Sequence, residues 1–150
     1  MRRNTKYGRG FEDYLESIYR LKLAGRRITI SNIARDLGVK PSSVVEQLEK
    51  LAKMDLIRYE KGFRGRSRIS LTRKGETLAK KIYEKHSMLK KFLINILHLP
   101  EDVAEKDACS MEHYLHKETI KRLSKLYNYL IEEMTANIRF KEGLNKILFS

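Results

Sequence analysis

Cys109, Glu112 and His113 stand at i, i+3 and i+4, the spacing that places three side chains on one face of a helix. Asp13 and Glu16 repeat the i, i+3 spacing near the N-terminus, and His86 falls on an apolar stripe between Ile82 and Leu89. Carboxylate oxygen, imidazole nitrogen and thiolate sulfur are donors for a first-row divalent ion, and three helices offering them from one face each could build a six-ligand centre. Each residue also has a plainer role. Asp13 and Glu16 suit the first turn of a helix, where the dipole favours acid. His86 suits a core, Cys109 is a small hydrophobe, and Glu112 with His113 makes a solvated pair. A second set is cationic and polar: Lys40, Ser42, Ser43, Gln47 and Lys50 over one stretch, then Arg64, Arg66 and Arg68 with Lys61 in a glycine-rich loop. Such groups meet phosphates and base edges. No nucleophile–base pair accompanies them, and a filled six-donor centre leaves no position for substrate water, so no catalysis is expected.

The elements that must position these groups are legible from apolar spacing. Phe11 to Leu23 has a helical pattern closed by Gly25. Ile28-Thr29-Ile30 reads as a short extended piece, and Ser31 as the N-cap of a helix over 32–37, with Gly38 following its end. Pro41 opens the next helix, which runs to about Lys53 with Val44, Val45, Leu48, Leu51 and Ala52 inward. Helix, three-residue turn and helix form a helix-turn-helix. Two alternating runs, 56–60 and 69–71, flank KGFRGRSR and predict a β-hairpin wing. Thr72 caps a long helix to about Leu97, Pro100 breaks it, and helices are expected over 101–115, 117–133 and within 137–149. The fold class is therefore mainly α: a winged helix-turn-helix domain, 1–72, then an all-helical lobe, 73–150.

Charge divides along the same line. The chain of 150 residues carries a formal net charge of +13. Residues 1–75 hold 19 Lys and Arg against 8 Asp and Glu, whereas residues 76–150 hold 13 against 11. A basic half joined to a near-neutral half predicts a polyanion partner for the first, nucleic acid being the commonest. No apolar run approaches the roughly 18 residues of a membrane span, and the basic N-terminus has no apolar h-region, so neither a membrane nor a signal peptide is expected. With a single cysteine, the chain is expected in a reducing cytoplasm.

EDYLESIYRL, SNIARDLGVKPSSVVEQLEKL, LIRYEKGFRG, ISLTRKGETLAKKIYEKHSMLKKFL and DACSMEHYL, in that order, closely resemble the diphtheria-toxin-repressor family, most nearly its short manganese-transport-regulator branch. The resemblance covers roughly residues 11–130. It implies a homodimer that binds a palindromic operator in double-stranded DNA when charged with Mn²⁺ or Fe²⁺, represses genes of metal homeostasis, and uses no organic cofactor. It implies as ligands Asp13 and Glu16 of EDYLE, His86 of EKHSML, and Glu112 and His113 beside Cys109. Asp13 follows the manganese branch, while Cys109 follows the iron branch, binding by sulfur or by its backbone carbonyl. Lacking a bridging carboxylate at 109, the chain is less suited to the binuclear site that the manganese branch can hold. Lys90 occupies a ligand position of the iron branch's ancillary site. The alternative is a metal-independent winged-helix regulator answering to an organic or protein effector.

Overall fold

A computed structural model describes residues 9–63 and 66–150, the side chain of Arg9 excepted. Nine elements follow in order: α1 (Arg9–Leu23), α2 (Ile30–Leu37), α3 (Pro41–Lys53), β1 (Ile57–Glu60), β2 (Arg68–Leu71), α4 (Arg73–Asn95), α5 (Glu101–Tyr114), α6 (Lys117–Ala136) and α7 (Ile138–Phe149). They form two compact units, one reaching Tyr83 and the other starting at Glu84.

The first unit is built around a single apolar cluster. Leu15 and Ile18 of α1, Ile33 of α2, and Val44, Leu48 and Leu51 of α3 are fully excluded from solvent, as is Leu56. Each large aliphatic side chain so buried contributes on the order of 1.5–3 kcal/mol. Ile57 and Ile69 of the hairpin and Ala79 and Ile82 of α4 complete the cluster. The hairpin is antiparallel, pairing Ile57 with Leu71, Arg58 with Ser70, Tyr59 with Ile69 and Glu60 with Arg68. The period-two alternation turns Ile57 and Ile69 inward and leaves Arg58, Glu60, Arg68 and Ser70 exposed.

The turn of the helix-turn-helix follows its sequence signals. Gly38 takes the left-handed conformation, φ 64°, and donates its N–H to Ala34 O, ending α2 as a side chain bearing Cβ would resist. Pro41 sits at the start of α3. One expectation fails here: α2 begins two residues early. Thr29, not Ser31, is the N-cap. Its backbone is extended, φ −132° and ψ 156°, and its Oγ1 accepts from Asn32 N–H at 3.1 Å. The Ile28–Ile30 segment therefore enters a helix rather than a strand, and its two isoleucines pack on the N-terminal core. Both Thr29 and Ser31 are good caps, and the choice falls to the one that lets Ile30 join the helix. Thr29→Ala is expected to lower stability by about 1 kcal/mol, read by denaturant midpoint, whereas Ser31→Ala should leave it within error.

The second unit has a smaller core. Leu89 and Leu93 of α4 pack with Ala104 and Ala108 of α5, flanked by Met88, Leu97, Met111, Ile120 and Leu123. Neither α6 nor α7 contains a buried residue. They expose Leu126, Tyr129, Ile138, Ile147 and Phe149.

Candidate functional site

In the second unit the donors expected from spacing do gather. One ligand atom from each of Cys109, Glu112 and His113 lies within 4.8 Å of those of the other two, Cys109 doing so through its sulfur. The i, i+3, i+4 spacing on α5 produces this cluster directly. His86 reaches it from α4, its Nδ1 2.9 Å from Glu112 Oε2. His113 Nε2 is 3.4 Å from the other oxygen of Glu112, Oε1.

Glu112 is the centre of this arrangement. It is 1 % exposed, and its Oε1 accepts no hydrogen bond among the described residues. Removing a carboxylate from water without satisfying its oxygens is costly, and native structures rarely leave it so. A carboxylate held between two imidazoles and beside a sulfur suits a transition-metal ion, which would take up the unused lone pairs. The donor set is thus chemically fit for a divalent metal.

In the first unit, Asp13 and Glu16 occupy one face of α1. Asp13 is half-buried and Glu16 is buried. Arg20, one turn on, stands 3.7 Å from Glu16 and bonds Asp36 at 2.8 Å. Burial first, and then the charges of Asp13 and Glu46, raise the Tyr14 hydroxyl above its ordinary pKa.

Sequence reasoning missed Glu105. Its Oε1 is 3.2 Å from His86 Nε2, on the opposite side of the ring from Glu112. Its Oε2 is 3.0 Å from Lys90 Nζ, which also lies 3.0 Å from Glu101 Oε1. Burial raises the Glu105 carboxyl pKa, but the Lys90 hydrogen bond and the charges of His86 and Lys90 outweigh it and the net shift is downward. The hydrogen bonds that Lys90 donates to Glu101 and Glu105 raise the lysine pKa. Glu101, Glu105 and Cys109 fall at successive i, i+4 positions, so the sequence did carry the signal that Glu105 shares the donor face.

The DNA-facing candidates lie on α3 and the wing. Ser42 and Ser43 are exposed in the first turn of α3, after Lys40 at its N-cap. Gln47 is half-buried, and Lys50 is exposed and paired with Glu46 at 2.6 Å. Arg66 and Arg68 are exposed on the wing, while Arg64 lies outside the described residues. Lys61 is tied to Glu49 of α3 at 2.5 Å, which raises the lysine pKa and lowers that of the carboxylate. No helix among the described residues is long and apolar enough to cross a membrane.

Comparisons with known proteins agree with this geometry. A family model described as the iron dependent repressor, N-terminal DNA binding domain, matches residues 6–63. A second, the iron dependent repressor, metal binding and dimerisation domain, matches residues 72–137. The HTH-type transcriptional regulator MJ0568 of Methanocaldococcus jannaschii is 42% identical over 75% of this chain and 87% of its own. The HTH-type transcriptional regulator MntR of Bacillus subtilis is 36% identical over 81% of this chain and 82% of its own. Among solved structures, the manganese regulator SloR superposes with a TM-score of 0.67 at 34% identity, covering 79% of this chain; the match spans 54% of that longer protein. A winged helix-turn-helix joined to a helical unit with clustered nitrogen, oxygen and sulfur donors defines a metal-responsive DNA-binding regulator. The chain belongs to the iron-dependent-repressor family, that of the diphtheria toxin repressor, on its MntR-like side.

Proposed function

We propose that this protein is a homodimeric transcriptional repressor of metal homeostasis that binds a palindromic DNA operator when loaded with Mn²⁺ or Fe²⁺. Asp13, Glu16, His86, Cys109, Glu112 and His113 are its proposed ligands. The observation that carries the reading is Glu112: a carboxylate 1 % exposed, one oxygen without a hydrogen bond among the described residues, between two histidines. The proposed division of labour is 1–72 for DNA and 73–150 for metal and dimerisation. The ranges of the two family matches support it. The apolar side chains exposed on α6 and α7 suit burial against a second copy.

A bound divalent ion supplies positive charge that lets three carboxylates and a thiolate share one centre. Asp13 and Glu16 belong to the first unit and the other four donors to the second, so their joint engagement restricts the freedom between the units. In a dimer, the two α3 helices must reach successive major grooves, about 34 Å apart for half-sites one turn apart. Donors satisfied only in that arrangement favour it by differential affinity. Without the ion, carboxylates left unpaired would repel one another and loosen the joint. The oxygen-rich set favours Mn²⁺, and the Cys109 sulfur pulls toward Fe²⁺ or Zn²⁺. Ser42, Ser43, Gln47 and Lys50 are proposed to read the major groove, with Lys40, Arg64, Arg66 and Arg68 on phosphates.

The test is affinity for DNA selected in vitro with the Mn²⁺-loaded protein. Mn²⁺ should tighten wild-type binding by roughly 5–150-fold, the usual range of such coupling, and Glu16→Ala should abolish the response. Equal affinity for both proteins with and without Mn²⁺ would refute metal gating.

A further inference from the structure

Arg20 stands one turn after Glu16 on α1, and two carboxylates compete for it. Its Nη2 donates to Asp36 Oδ2 of α2 at 2.8 Å, a charge-assisted hydrogen bond of ordinary length. Its Nη1 is 3.7 Å from Glu16 Oε1, within reach of an ion pair and beyond that of a hydrogen bond. Local rules favour the other choice. Glu16 and Arg20 are at i and i+4 on one helix, the spacing at which such pairs form without help from the fold. The Glu16 side chain is also 6% exposed against 30% for Asp36, and opposite charges attract more strongly where water is excluded. The guanidinium nevertheless bonds the more exposed partner. Packing delivers that partner: Ile33 and Ala34 of α2 are buried in the same cluster as Leu15 and Ile18 of α1, which fixes Asp36 beside Arg20.

We propose that Asp36 is a positioning residue for the metal centre: it draws the Arg20 guanidinium toward α2 and so keeps it from closing a salt bridge on Glu16, whose carboxylate stays available to a divalent ion. The inference rests on the reading of Glu16 as a metal ligand given above. Without Asp36, a change of rotamer in Arg20 is enough to close the 3.7 Å gap. A carboxylate that accepts a guanidinium must then give up that bond to take a metal cation, and the two positive charges face one another across it. The device lies within α1 and α2 and uses no residue of the second unit.

The experiment is Mn²⁺ binding to the full-length protein, read as free against bound Mn²⁺ by electron paramagnetic resonance, for wild type, Asp36→Asn, Arg20→Gln and the double variant. Asp36→Asn should weaken binding by about 10–100-fold, the range for losing a group that supports a metal ligand. Arg20→Gln should bind at least as tightly as wild type. Added to Asp36→Asn, it should restore wild-type affinity, because the cation that Asp36 restrains is gone. Independent charge effects on the ion would simply add, so an Arg20→Gln effect of equal size in both backgrounds would overturn the proposal. An Asp36→Asn protein that binds as tightly as wild type would overturn it too, as would a double variant as weak as Asp36→Asn. Arg20→Gln alone supplies a check that does not depend on the Asp36 variant folding: a drop in its affinity would show that Arg20 supports Glu16 and would refute the proposal. Wild type that binds no Mn²⁺ would instead overturn the metal-centre reading, and this inference with it.

Discussion

Replacing Glu112 by Gln is expected to abolish the thermal stabilisation that Mn²⁺ gives the wild-type protein, while leaving the metal-free protein as stable or more so. The two signs have one cause. Glu112 is 1 % exposed, with one oxygen accepting no hydrogen bond among the described residues, and such an acceptor costs on the order of 1–3 kcal/mol in the metal-free state. A neutral amide reduces that cost. It also removes the charge that faces both His86 and His113. Removing a hydrogen-bond partner of a metal ligand costs about 10–100-fold in metal affinity, and a direct ligand at the middle of the cluster should cost at least the upper end of that range. At a free Mn²⁺ concentration about 100 times its dissociation constant, wild type gains roughly 2.7 kcal/mol. The Gln variant should show almost none of it. Melting curves with and without Mn²⁺ decide the matter. A Mn²⁺-induced shift in the variant as large as in wild type would remove Glu112 from the centre.

The parts of this molecule that can be read from sequence are those fixed by local rules. Val44, Leu48 and Leu51 mark the inner face of α3 by period alone, and Gly38 and Pro41 bracket the turn because backbone conformation there admits few residue types. The hairpin is legible because alternation and a glycine-rich loop coincide. The start of α2 is not, because Ile28-Thr29-Ile30 is a β-like triplet by composition and two good caps stand two residues apart. For the site, the spacing of Cys109, Glu112 and His113 fixes a shared face, and the fold turns it into a shared centre. Glu105 escapes because its partners His86 and Lys90 lie on another helix. In sequence, Glu101 and Glu105 look like carboxylates at the acidic start of a helix. Only the packing of α5 against α4 gives them the histidine and the lysine.

Gly75→Ala is expected to destabilise the protein by about 3 kcal/mol, against the direction that helix propensity predicts. Gly75 lies in the first turn of α4, where alanine would ordinarily be better by about 1 kcal/mol. A Cβ built there, however, would sit 1.7 Å from the carbonyl oxygen of Leu56 and 2.7 Å from its carbonyl carbon. That oxygen is not a flexible side-chain tip. It accepts the backbone N–H of Thr72 at 3.1 Å, and Leu56 is fully buried at the entrance to β1. The same corner is held by Thr72 Oγ1, which donates to Asp55 O at 2.7 Å and accepts from Gly75 N–H at 3.0 Å. Lys74 adds a bond to Met54 O at 2.9 Å. To admit a methyl group, either α4 must lift away or the start of β1 must move, and both break this net of bonds between the wing and α4. The steric cost therefore exceeds the propensity gain. At roughly 2–4 °C per kcal/mol for a chain of this size, the melting temperature should fall by about 10 °C. A Gly75→Ala protein that melts at or above the wild-type temperature would show that the wing and α4 are not locked together at this corner.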